Sequence, residues 1–312
     1  MPMSSAPDPQ TDSPIGLVYA LSAYLSWGAL PIYMKALSDV PAPEIIAHRV
    51  IWSLPIAAAV LIWQGRQDQV MAALRQPRLL AMAALTAILI SANWLIYVWA
   101  ITHDHALDAA FGYYINPLFS VLLGALVLKE KLSRGQLLAI GLAAAAVVIL
   151  TVQAGRLPLV AIGLTLTWGI YAYCKKRLPL GPNQGFTLEV LLLLPLAVIY
   201  LGWTGATGRG LSYDAGTWAL LLGCGPVTAI PLLFYANGAK LIRLSTIGIL
   251  QYVTPTLIFL CAVILFGEPF EGARLIAFPM IWAALAIYTA TLLRQAGQRR
   301  RDRRLATTRR MQ

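Results

Sequence analysis

The chain has 312 residues, 59% hydrophobic and only 12% charged, with a mean hydropathy of +0.70 and a formal net charge of +11. Soluble domains carry about a quarter charged residues, so this composition excludes an ordinary aqueous globule and points to an integral membrane protein. The positive charge does not signal nucleic acid, because eight arginines lie between Arg294 and Arg310 and no base-reading module accompanies them.

Residues 1–14 are polar, proline-rich and without Lys or Arg, unlike a secretory signal, so they read as a disordered cytoplasmic N-terminus ahead of a true first span. Ten apolar runs then follow at about 15–36, 44–63, 79–101, 107–128, 135–152, 157–174, 186–203, 216–236, 245–266 and 273–293. Each can cross a hydrocarbon core of roughly 30 Å as a helix. With the N-terminus cytoplasmic, all but Lys35, Arg49, Arg156, Arg209 and Arg274 of the 24 Lys and Arg fall inside or in the basic tail 294–312. That bias predicts an inner-membrane, multi-pass protein with both termini cytoplasmic and a tail near anionic lipid headgroups.

The spans repeat. Shifting by 138 positions puts Pro117 on Pro255, Tyr114 on Tyr252, Asn116 on Thr254, Glu130 on Glu268 and Tyr97 on Tyr235. Trp27 and Lys35 meet Trp168 and Lys176 at 141, and Glu44 meets Glu189 at 145. Matches in order at a nearly constant offset predict two five-helix halves, 15–152 and 153–293. Five is odd, so the halves are inverted, a common basis for alternating access. Pro117 and Pro255 each break a span near its start and read as hinges. Spans 5 and 10 hold small residues and few polar ones, which suits close packing at the periphery or a homodimer contact.

Polar groups inside spans need a reason to be there. Glu44, His48 and Trp52 share one face of span 2 with Arg49 beside them, a set suited to a zwitterion or a proton, or to a Glu–Arg anchoring pair. Glu189 is the counterpart in span 7, suited to a coupling proton or to a salt bridge with Lys175, Lys176 or Arg177. Asn93, Trp94 and Tyr97 in span 3, Tyr114 and Asn116 in span 4, Tyr235 in span 8, and Gln251 and Tyr252 in span 9 are expected to line a cavity with Trp27 and Trp168. Trp63, Trp203 and Trp218 read as interfacial belts. Glu130 and Glu268 precede spans 5 and 10, whose helix dipoles they are expected to complement.

In order along residues 15 to 293, WGALPIYMKAL, EIIAHRVIWS, NWLIYVWAI, FGYYINPLFSVLLGALVLKEKL, YAYCKKRLPL, GPVTAIPLLFYANGAK and GILQYVTPTLIFLCAVILFGEP resemble the RarD branch of the EamA-type drug/metabolite transporters. The resemblance implies ten transmembrane helices in two inverted five-helix repeats, a central cavity, and movement of small metabolites or drugs without ATP. No cofactor is implied, and neither a phosphate-binding loop nor a nucleophile elbow occurs. The three cysteines and His103-Asp104-His105 lack metal-ligand spacing, so no metal is expected. The expected function is thus secondary transport of a small organic solute, either coupled to protons or as facilitated efflux. The rival is a membrane-embedded enzyme acting on an amphiphile through Glu44, His48 and Arg49.

Overall fold

The computed structural model describes residues 12–129, 132–208, 213–239, 241–242 and 244–311. Most of the expected disordered N-terminus, Glu130 with its expected dipole role, and Lys131, Arg209, Lys240 and Arg243 of the charge pattern lie outside these residues. Among the described residues every regular element is helical: α1 (Pro14–Lys35), α2 (Ala42–Trp63), α3 (Gln67–Leu74), α4 (Pro77–Thr102), α5 (Ala106–Leu128), α6 (Arg134–Ala154), α7 (Leu159–Arg177), α8 (Pro182–Ala206), α9 (Ala215–Gly238), α10 (Leu244–Leu250), α11 (Val253–Leu260) and α12 (Arg274–Met311). A π-helical turn, Cys261–Leu265, extends α11.

Local chemistry sets the helix ends. Pro14, Pro77 and Pro182 open α1, α4 and α8, where a first-turn N–H has no helical partner to lose. Ser133 and Gln136 form a reciprocal capping box at α6, and Gly155 at φ +65° closes that helix. Asp214 caps α9 by accepting the Thr217 N–H at 2.7 Å, which holds its carboxyl below the usual range.

Glu268 departs from expectation. It serves α5, accepting the Ala106 and Leu107 N–H groups at 2.6 and 2.9 Å, and not α12, the next helix along its own chain. Gly267 at φ +67° turns the chain back so that the carboxylate lies over the free N–H groups of a helix 161 residues away. Burial pushes this carboxyl up, with the two N–H bonds and Arg274 opposing the shift.

Nine described helices are long and apolar enough to cross a membrane. The expected sixth span is α7, a 19-residue helix that falls short of that apolarity because it carries Thr165, Thr167, Lys175, Lys176 and Arg177. The short α3 was not expected; Val70 and Ala73 bury one face of it beside α8 and α4. The α12 backbone stays helical to Met311, so the tail continues span 10 without a break.

The helix pairings have a pattern. α1 packs on α9 as α4 packs on α7; α2 packs on α9 as α4 on α8; α1 packs on α11 as α7 on α5. The pairs α2–α8, α5–α11 and α6–α12 each join one span to its own counterpart. At the α1–α11 and α7–α5 crossings the same contact is made twice. Gly28 of α1 lies against Leu257 of α11, and Gly169 of α7 lies against Phe119 of α5. Those residues stand at offsets of 141 and 138, as in the sequence. The small faces of α6 and α12, including Ala139, Ala143, Ala146, Ala277 and Ala284, are buried, and these two helices pack on one another within the chain.

The two prolines differ. Pro255 stands in the first turn of α11, directly after a break at Gln251 and Tyr252. Pro117 is buried inside a continuous α5, so the expected matching interruption is present on one side only. A proline in a first turn removes no helical bond, whereas one in mid-helix can be held in place by neighbours that pack on both sides of it.

Candidate functional site

Arg49 of α2 is 4% exposed and sits between α4 and α9. Its Nε donates to Thr228 Oγ1 at 3.0 Å, and its guanidinium lies 4.5 Å from the centre of the Trp94 ring. Tyr97, Tyr113 and Cys224 stand within its electrostatic reach. Neither Nη1 of Arg49 nor the Tyr97 hydroxyl has a hydrogen-bond partner, although both are buried. Among the described ion pairs, none involves Arg49. The expected Glu44–Arg49 pair is absent, because five residues of helix put the two side chains on different faces.

Glu44 and His48 form a separate group toward the N-terminal end of α2. Glu44 accepts the Tyr213 hydroxyl at 3.2 Å through one carboxylate oxygen, and the other has no partner. Burial and the neighbouring Glu44 charge push the Tyr213 phenol up to about 12. His48 accepts the Trp52 indole N–H at 3.0 Å on Nδ1, which fixes that nitrogen as the unprotonated one. Its ring meets Trp218 edge-on at 5.6 Å, and Trp218 in turn meets Tyr213 at 6.4 Å. Trp218 therefore belongs to this cluster, whereas Trp63 and Trp203 are exposed.

Glu189 lies in another cluster. Buried in α8, it receives Lys175 Nζ at 2.6 Å and the Tyr171 hydroxyl at 3.4 Å, so of the two expected arrangements the salt bridge is the one formed. Tyr171 connects this pair to aromatic neighbours, with Trp168 at 5.7 Å and Tyr235 within electrostatic reach. Tyr235 packs on Trp27 at 5.5 Å and on Tyr24 at 5.9 Å. Trp27, Trp168 and Tyr235 are thus brought together with Glu189, as α1, α7, α8 and α9 converge.

Asn93 is spent on structure. Its amide donates to the Leu164 carbonyl and to Thr167 Oγ1, and its oxygen accepts from Tyr113, tying α4 to α7 and α5. Asn116 is buried with its side-chain oxygen unpartnered, and Gln251 donates to Gly248 at the α10–α11 break.

Tyr114 and Tyr252 do not join the Arg49 centre. They line a lateral groove of about 710 Å³ between α5, α11 and α12, together with Thr256, Phe259, Trp282 and Thr289. Tyr114 shares a hydrogen bond with Thr256 at 2.8 Å. The 100° step of the helix separates them: Tyr113 turns toward Tyr97 while Tyr114 turns away toward Trp282. Thr228 and Tyr171, which complete the Arg49 and Glu189 clusters, carried no sequence signal beyond a polar residue on an apolar helix. His103 and His105 both stack on Trp99, and no group of three metal-ligating residues occurs among the described residues.

The sequence pattern of the EamA-like transporter family matches residues 14–152. An uncharacterized transporter of Vibrio cholerae is 43% identical over 305 residues, covering 96% of this chain and all of that protein. The chain belongs to the RarD branch of the EamA-type transporters. Protein RarD of Salmonella typhimurium is 40% identical over 88% of this chain and 94% of its own length, and the uncharacterized transporter YojE of Bacillus subtilis is 42% identical over 88% and 93%. A chain solved by crystallography, at 21% identity, superposes with a TM-score of 0.60 over 91% of this chain and 99% of its own, which shows a shared fold. Family membership and the apolar helices together make this RarD-type protein a multi-pass membrane transporter.

Proposed function

We propose that the protein is a secondary transporter of a small organic solute in the cytoplasmic membrane, working by alternating access around Arg49. The observation that carries this reading is the buried guanidinium itself, which has one unpartnered nitrogen and the unpartnered Tyr97 hydroxyl within its electrostatic reach. An ion without a counter-charge costs several kcal/mol at such depth, so its retention suits a site completed by a ligand.

The halves are residues 15–152 and 153–293, inverted with both termini inside, and the tail 294–312 faces anionic headgroups. The doubled Gly28–Leu257 and Gly169–Phe119 crossing supports this division. Rocking uses the α10–α11 break before Pro255, with Pro117 as the stiffer counterpart. Protons couple through Glu44, whose unpartnered oxygen is free to receive one, while Glu189 is held by Lys175.

Counterflow of a panel of small organic solutes in proteoliposomes tests the reading. The wild type accelerates at least one solute, Arg49→Gln abolishes that flux, and Glu44→Gln uncouples it from a pH gradient. Chemical conversion of a compound in detergent, with no flux of any solute, would reverse the conclusion in favour of an enzyme. The geometry gives the enzyme little support, since Glu44, His48 and Arg49 are engaged by Tyr213, Trp52 and Thr228 respectively and do not converge.

A further inference from the structure

We infer that the central site takes a small organic monoanion, a carboxylate on an aromatic or similarly planar body, and discriminates against zwitterions. The inference rests on Arg49 marking the solute site and adds the charge class of the solute. The groups around Arg49 are a hydroxyl (Thr228), an indole (Trp94), two phenols (Tyr97, Tyr113) and a thiol (Cys224), all uncharged at neutral pH with ordinary reference values. The site therefore carries a net charge of one positive unit.

The carboxylates able to offset this charge are engaged elsewhere. Glu44 faces Tyr213, Glu189 faces Lys175 and Tyr171, Glu268 caps α5, and Asp104 and Asp108 pair with Lys35 and Arg274 in the outer connections. A carboxylate ligand neutralises the guanidinium and can accept hydrogen bonds from Nη1 and from the Tyr97 hydroxyl, the two donors left without partners. An amino acid would bring an ammonium into the same layer, where no carboxylate receives it. The aromatic face best placed to bind a cation, that of Trp94, is already covered by Arg49. Trp94, Tyr97 and Tyr113 supply flat apolar walls for the body of the solute.

Matched probes separate the charge classes: benzoate, phenylalanine, benzamide and chloride, each tested by thermal stabilisation of the purified full-length protein at constant ionic strength. Benzoate is expected to raise the melting temperature of the wild type, with the other three giving much smaller shifts. Arg49→Gln is expected to weaken benzoate by about 10- to 100-fold, the range for a hydrogen-bonded charge. Tyr97→Phe removes one donor without disturbing the buried charge, and serves if Arg49→Gln folds poorly; about a 3- to 10-fold weakening is expected.

Phenylalanine stabilising as strongly as benzoate, chloride replacing benzoate, no benzoate effect in the wild type, or a benzoate effect untouched by both substitutions would each overturn the inference. Binding is read without compartments, so it is separable from transport. Arg49-dependent benzoate binding without solute flux in proteoliposomes removes the transporter reading alone. Flux of a zwitterion without benzoate binding removes this inference alone.

Discussion

Breaking the Lys175–Glu189 pair offers the sharpest check on the Glu189 cluster. Its Nζ–Oε1 distance is 2.6 Å, with Glu189 only 2% exposed but Lys175 22% exposed. Exposed pairs contribute about 0.2–1 kcal/mol, while removing one partner of a fully buried pair costs about 3–5 kcal/mol. Because Lys175 is only partly buried, Glu189→Gln should fall between these limits, at roughly 2–3 kcal/mol. Lys175→Met should cost a similar amount, because it leaves the carboxylate with only the long Tyr171 bond at 3.4 Å. The double variant removes both charges and should be more stable than either single variant, giving a coupling energy of at least about 2 kcal/mol. A double-mutant cycle on unfolding in detergent, followed by tryptophan fluorescence, measures this directly. Single-variant losses below about 0.5 kcal/mol that simply add would refute the anchoring role and return Glu189 to consideration as a proton carrier.

Other expectations follow from single contacts. Burial raises the Glu268 carboxyl, so the folded protein holds this proton more tightly than the unfolded chain does. That contribution to stability is full below the ordinary glutamate range and is lost as pH rises through the raised value; a melting-temperature profile should show the decline, and Glu268→Gln should flatten it. Gly28→Ala and Gly169→Ala push a methyl into Leu257 and Phe119 respectively. Each should destabilise by about 1–3 kcal/mol in thermal unfolding, and a large effect from only one would count against equivalent crossings. Asn93→Ala deserts Thr167, the Leu164 carbonyl and Tyr113 at once and should cost about 1–3 kcal/mol whether or not solute is bound, whereas a loss of flux at unchanged stability would place Asn93 in the solute path instead.

Most of the helix boundaries were legible in the sequence because a bilayer demands apolar runs of fixed length, with prolines and caps punctuating their ends. The offset pairing Trp27 with Trp168 and Tyr97 with Tyr235 was legible too. The offset reappears in the contacts that Gly28 and Gly169 make. Which polar residues stand together was not legible. Helical spacing shows which residues share a face but not what that face meets, so Glu44, His48 and Arg49 looked like one group although Tyr213, Trp52 and Thr228 engage them separately. Likewise Tyr113 and Tyr114 are adjacent in the chain, yet one turns toward the Arg49 centre and the other into the lateral groove. Glu268 found its helix 161 residues away. The sequence alone determined a membrane protein built of repeated apolar helices, because hydrophobic length and charge bias act locally along the chain. Tertiary structure alone decided which charge lacks a partner, because pairing depends on how far helices rotate against one another, and the sequence of each helix leaves that angle open.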